Sequence, residues 1–347
     1  MPLDLQIQLA GGLALSFWTL LAAGLLGGLS AGLLGVGGGI LVTPLLISLG
    51  VPARIAAGSM NVAIIGNAAD ALAHDLPRRR VDWRMGLWMG LAAAAAGQAG
   101  TWAIGQLGRP RLVDALVRAG FLALLLVMAW RLLRRRGPRE GRLRRWLFSA
   151  PLRYHSPWES RPVSPLPAMA AALGGGLVAS LLGVGGGIIY VPVLLALFPR
   201  PLQDLVPVSQ IAVLLGTLSV SSGHVWHTGN IDPRLALVLV LTGALGTAAG
   251  SRLKARLDSR LLERLLALVL LLAALRLSLP LPQLDLAAVG TAARDPLAGL
   301  AAWCARGVWQ NWLGTVGLAL ALSPLLSRLQ HAVLDRINGR QSGQGVG

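Results

Sequence analysis

The sequence predicts an all-α, polytopic membrane protein made of two pseudo-symmetric transmembrane repeats, inverted relative to each other, with glycine-broken helices. Three observations predict it. Apolar runs of about 20 residues recur, the length that crosses ~30 Å of hydrocarbon. The chain of 347 residues is 54% hydrophobic and only 13% charged, with a mean hydropathy of +0.65. Finally, LLGVGGGILVTP at residues 33–44 returns as LLGVGGGIIYVP at residues 181–192, with LLGVGGGI identical in both copies. Both copies lie inside apolar sequence and carry a proline shortly after the last glycine. A soluble domain of this length would show shorter apolar runs and more surface charge.

The net charge of +17 would point to nucleic acid in a soluble protein. Here the arginines fall mainly between apolar runs, which is the positive-inside pattern, so no nucleic-acid partner is expected. Cys304 is the single cysteine, which excludes an internal disulfide. MPLDLQIQLA lacks a basic leader, so the first apolar run reads as a retained helix rather than a signal peptide.

In chain order, residues 1–133 form the first transmembrane repeat. A first segment covers about Leu9 to Leu34, and its small residues Gly24, Gly27, Gly28 and Gly32 suit close helix contact. The glycine run follows, then a short apolar segment from Ile40 to Leu49 and a turn at Gly50-Val51-Pro52. Further segments run over about Ala53 to Leu76, Trp83 to Leu107 and Leu112 to Leu133. Residues 134–165 are a basic, proline-rich linker, expected in the cytoplasm and against anionic lipid headgroups. Residues 166–280 repeat the first unit at an offset of 148, then 150, matching Ser59 with Ser209, His74 with His224 and Asp82 with Asp232. Such self-similarity marks a two-fold pseudo-symmetric fold. Residues 281–347 add a hydrophobic segment at about Val308 to Leu326 and a basic tail.

Five passes per repeat would invert the second copy. Basic charge indeed moves from Arg78–Arg80 in the first repeat to Ser251–Arg260 in the second, as inversion requires. Re-entrant short segments would instead give four passes and parallel repeats. The total is about 8 to 11 passes, with the N-terminus outside.

No catalytic constellation stands out, so no enzyme activity, cofactor or metal is expected. His224 and His227 stand at i, i+3, but no carboxylate or cysteine has a matching spacing. GVGGG lacks the spacing of a dinucleotide fingerprint and the lysine of a phosphate loop. Its electrostatic reading is an anion nest of backbone N–H groups, reinforced by the dipole of a following helix. The candidate substrate-binding residues are therefore Gly35, Gly37, Gly38 and Gly39 in one copy and Gly183, Gly185, Gly186 and Gly187 in the other. Ser59, Asn61, Asn67, Ser209, Gln210 and Thr217 on the following helices are candidates to complete the shell; helix–helix hydrogen bonding is their structural alternative. Asp70, an acidic group inside a span, and His74 one turn later are candidates for proton coupling, or for a structural ion pair.

The doubled GVGGG with its proline, the Ser59 and Ser209 segments and the Val81-Asp82 and Ile231-Asp232 turns resemble the TauE/SafE family of bacterial membrane permeases. The resemblance covers about residues 15–135 and 165–280. It implies the two-repeat architecture and a permease for sulfite or organosulfonates such as sulfoacetate, located in the bacterial inner membrane. The long linker and C-terminal segment depart from the family pattern. The expected partners are a small anion and the bilayer, with a homo-oligomer compatible. The competing reading is a membrane-embedded interaction or assembly protein that docks through the basic linker.

Overall fold

The computed structural model describes residues 6–8, 14–75, 81–107, 111, 113–117, 119–120, 123, 146–149 and 151–254. The Arg78–Arg80 cluster, Arg109, Arg118, most of the fifth segment, the basic part of the linker, the end of the second repeat, Cys304 and everything expected beyond residue 254 lie outside the described residues.

Of the first apolar run, α1 covers Phe17–Leu34, and residues 14–16 are strand rather than helix. Before it, β1 (Gln6–Gln8) pairs antiparallel with β2 (Ala14–Ser16), Ile7 opposite Leu15. Polar Gln6 and Gln8 flank buried Ile7, a period of two that suits a strand. The 18 residues that remain for α1 still span roughly 27 Å at 1.5 Å per residue. Next come α2 (Gly39–Ser48), α3 (Ala53–Asp75) and α4 (Trp83–Leu107). The second half follows with α5 (Leu166–Leu182), α6 (Gly187–Leu197), α7 (Leu202–Gly223) and α8 (Pro233–Lys254). A π-helical turn, His224–Thr228, extends α7. The two aspartates of the repeated turns begin equivalent helices. Asp82 Oδ1 accepts the Met85 N–H at 3.0 Å, and Asp232 Oδ1 accepts those of Arg234 and Leu235 at 2.9 and 3.1 Å. A carboxylate at this position satisfies donors that the first helical turn leaves open.

Among the described residues, four helices are long and apolar enough to cross a membrane: α1, α3, α7 with its π turn, and α8. The short α2 and α6, of 10 and 11 residues, reach only about half a bilayer. The fourth helix of each half packs on the other half: α8 lies against α1 and α3, and α4 against α5 and α7. The contacts α1–α8 and α3–α8 are dense because glycines let backbones approach. A Cβ on Gly28 would stand 1.9 Å from the Gly243 carbonyl oxygen, and one on Gly32 would stand 2.3 Å from that of Thr247. In membranes, small residues at such seams replace the missing hydrophobic drive.

Helix directions follow from these contacts. Gly58 meets Asn230, Asn67 meets Gly243 and Asp75 meets Lys254, so α3 and α8 run the same way. Gln203 at the start of α7 donates to the Lys254 carbonyl at the end of α8, at 3.2 Å. The other end of α7 is joined to α8 by a short turn, so α7 runs against α8, and hence against α3. Exposed Trp18, Trp102 and Trp226 mark one end of the bundle, and exposed Trp83 and Trp146 the other. Tryptophans at both rims suit the two membrane interfaces. Between them, exposed Leu25, Leu91, Leu177 and Leu245 face outward, as a lipid-facing surface requires.

The end of the linker closes the rim that carries Trp83. The Tyr154 hydroxyl and Ser156 Oγ both donate to Asp82 Oδ2, at 2.7 and 2.6 Å. Trp158 stacks edge-on against Phe198, with ring centroids 5.2 Å apart, and Arg200 donates to its carbonyl at 2.9 Å. The strap thus joins the start of α4 to the turn between α6 and α7. Burial, with the Asp82 carboxylate second, pushes the Tyr154 phenol well above its ordinary range and keeps it a donor.

Candidate functional site

The glycine runs become two turns that touch. After α1, Gly35, Gly37 and Gly38 have φ of 72°, 83° and 81°; after α5, Gly183, Gly185 and Gly186 have φ of 65°, 76° and 72°. Side chains with a Cβ avoid this region. Gly39 packs on the Gly183 carbonyl and Gly187 on that of Gly35, while Gly37 lies beside the Val184 carbonyl. Thr43 Oγ1 donates to the Gly183 carbonyl at 3.2 Å. Ser209 Oγ lies 3.2 Å from the Gly35 carbonyl and 2.9 Å from that of Val206.

Residues 36–38 and 184–186 are buried, and no acceptor among the described residues takes their N–H groups. Such orphans are rare in folded proteins. The starts of α2 and α6 add the positive ends of two helix dipoles at the same place. Ile64 fills the space between the turns, in reach of Gly37, Gly39 and Gly185, and Val213 lies beside Gly185 and Gly187.

Of the polar candidates, the structure brings three to these turns. Asn61 Nδ2 donates to the Ala179 carbonyl at 3.0 Å, and Gln210 Nε2 to that of Ala31 at 3.1 Å, in the last turns of α5 and α1. Their Oδ1 and Oε1 have no partner among the described residues. Ser209 is the third. Ser59 is elsewhere, its Oγ accepting the Asp232 N–H at 2.8 Å where α8 begins. Asn67 lies against Gly243 of α8, and Thr217 bonds back to the Val213 carbonyl at 2.7 Å on its own helix.

Asp70 and His74 are buried toward the far end of α3. His74 Nδ1 donates to the Asp70 carbonyl at 2.9 Å and lies 3.7 Å from Asp70 Oδ1. One residue on, Asp75 forms a buried ion pair with Lys254 at 2.5 Å, across the seam between the halves. Sequence reading missed this pair. Its signal was one acid and one base near the ends of two apolar helices, and nothing in the order of residues joins them. It also missed Ile64 and Val213, which read as ordinary apolar residues.

Apolar helices long enough to cross a membrane, with turns of positive-φ glycines leading into two short helices, describe a multi-pass membrane protein. The family model of the sulfite exporter TauE/SafE matches residues 20–277 and also residues 168–342. The chain belongs to that family of permeases, which act on small-molecule substrates and in bacteria reside in the inner membrane. It is also similar to the Probable membrane transporter protein YunE of Bacillus subtilis (strain 168). That protein is 25% identical over 250 residues, covering 67% of this chain and 88% of the relative. No solved structure matches the chain at a significant level.

Proposed function

We propose that the chain is a secondary transporter for a small sulfur-containing anion, sulfite or an organosulfonate, bound centrally between the two glycine turns. The observation that carries this reading is the set of buried N–H groups at residues 36–38 and 184–186 that find no acceptor among the described residues. An anion supplies acceptors to all of them, and two helix starts add positive potential without the cost of a buried lysine. The second N–H of the Asn61 and Gln210 amides and the Ser209 hydroxyl complete the shell. Ile64 and Val213 close the site in this conformation, so entry requires their withdrawal. The repeats are inverted: the opposed directions of α3 and α7 and the exchanged positions of α4 and α8 support this. Inverted repeats let two conformations related by the pseudo-two-fold axis open the site to opposite sides. The linker lies in the cytoplasm, against anionic headgroups.

Asp70 with His74 carries the coupling proton. Radiolabelled sulfite and sulfoacetate flux in proteoliposomes tests the substrate class; absence of both fluxes in folded protein would refute it. Asp70→Asn should abolish flux driven by a pH gradient while exchange of substrate persists. Retention of gradient-driven flux would remove Asp70 from the proton path.

A further inference from the structure

His224 is the repeat-mate of His74, and it lies at the opposite end of the bundle. Its ring is buried. His224 Nδ1 is 3.0 Å from Thr228 Oγ1, and that hydroxyl also lies 3.1 Å from the His224 carbonyl. The hydroxyl has one proton, and the carbonyl can only accept it. With the hydroxyl donating to the carbonyl, Nδ1 carries the hydrogen of the first bond. In that arrangement the neutral ring is the Nδ1–H tautomer, and Nε2 has no partner among the described residues.

Ser221 Oγ, one turn before His224, and Gln98 Oε1, beside Gly223, are also buried without partners among the described residues. The Ser180 carbonyl, one of the open carbonyls in the last turn of α5, faces the ring. The π turn that holds His224 closes with the Gly229 N–H on the His224 carbonyl at 2.7 Å; such turns concentrate at functional sites. Among the described residues, no charged side chain acts on the ring. On α4 the charged residue is Arg84 and on α7 it is Asp204, both at the far ends; α5 has none. From α6 comes only the Tyr190 phenol. On α3, Arg54 reaches this end but is paired with Asp114 at 2.8 Å, while Asp70, His74 and Asp75 sit at the other. His227 turns to Gln98, at 3.4 Å, and Asp232 caps α8.

We propose that His224 binds a proton at Nε2 and is the counterpart, at the opposite end of the transporter, of the Asp70–His74 site. The proton comes from water at that end. The imidazole becomes an imidazolium, and the new Nε2–H donates to the Ser180 carbonyl at the negative end of the α5 dipole. The added charge then sits one turn before the second glycine turn, where it favours an anion. The site deepens the transport reading, and only its flux test depends on that reading.

The test has two arms. In purified full-length protein carrying ¹⁵N-histidine, the ring nitrogens are followed by NMR between about pH 4 and 8. The wild type should show the Nδ1–H tautomer with Nε2 gaining a proton as pH falls, and His224→Gln should remove that signal. In proteoliposomes, one pH unit should accumulate sulfoacetate about tenfold in the wild type and about onefold in His224→Gln, with exchange at equal pH kept within about twofold. His227→Gln should match the wild type in both arms. A His224 ring that stays neutral throughout, or tenfold accumulation by His224→Gln, overturns the proposal. If the wild type moves neither sulfoacetate nor sulfite, the transport reading has failed and the titration alone decides His224; if it moves sulfite alone, sulfite replaces sulfoacetate in this arm. If His224→Gln does not fold, Thr228→Val serves: it should mix the two tautomers, and an unchanged Nδ1–H tautomer overturns the proposal.

Discussion

Gly37 and Gly38 are neighbours with nearly the same φ, 83° and 81°, yet a methyl group added to each would meet different things. On Gly37 it would lie 3.0 Å from Ile64 Cγ2 and 3.3 Å from the Val184 carbonyl oxygen, between the two turns. On Gly38 it would lie 2.3 Å from the Gly27 carbonyl oxygen, in the seam with α1. Gly185 and Gly186 divide likewise, toward Ile64 and toward Tyr190. Either substitution strains the backbone by about 1–2 kcal/mol, the cost of a Cβ in the left-handed region. Gly37→Ala and Gly185→Ala should therefore lower anion affinity more than melting temperature. Gly38→Ala should chiefly lower the melting temperature, since the opposing backbone cannot yield. Thermal melting in detergent with and without sulfite separates them: sulfite should protect Gly38→Ala and the wild type, but not Gly37→Ala. Sequence reading grouped these glycines as one motif. It could identify where the backbone must leave the helix, because only glycine suits a positive φ. It could not say which way each Cα faces, because that depends on which neighbours the fold brings up, from Gly27 in the same repeat to Val184 in the other.

Helix boundaries were largely legible, and pairings between helices were not. The expected segment Trp83 to Leu107 is α4, and the expected turn at Gly50-Val51-Pro52 separates α2 from α3. Apolar length and turn residues set such limits locally. The α3–α8 seam is a long-range fact, and its buried Asp75–Lys254 pair illustrates the energetics. Removing one partner leaves a buried charge alone, which costs about 3–5 kcal/mol, whereas replacing both by apolar groups can be neutral. Lys254→Met should thus sharply reduce the folded yield in detergent, and Asp75→Leu with Lys254→Met should restore it. Equal yields for the single and double variants would show that the pair does not hold the seam. The linker strap gives a prediction in pH. The Tyr154 phenol is raised on docking, so its contribution is complete below its ordinary value near 10 and is lost as pH climbs above that. Fluorescence of Trp158 should report undocking above about pH 10 in the wild type, and Tyr154→Phe should shift little with pH in that range.

At the scale of the whole molecule, the recurrence of identical motifs inside apolar runs was legible in the order of residues. The exchange of α4 and α8 between halves was not, since hydropathy is blind to which neighbour covers a helix. Topology is directly testable in a Cys304→Ala background. Ser149→Cys, in the linker, should resist a membrane-impermeant maleimide added to intact cells, and His227→Cys, exposed at the opposite rim, should react. Reaction at Ser149→Cys would place the linker outside. The exchange of helices also has a consequence for how the chain is made. The glycine face of α1, with Gly24, Gly28 and Gly32, is covered by α8, which emerges from the ribosome roughly 200 residues later. At about 5–20 residues per second, that delay is on the order of 10–40 s. Throughout that interval α1 sits in the bilayer with its partner unmade. Neither half can complete its own seam, so each half synthesised alone should be a substrate for membrane proteolysis, and both made together in one cell should protect each other.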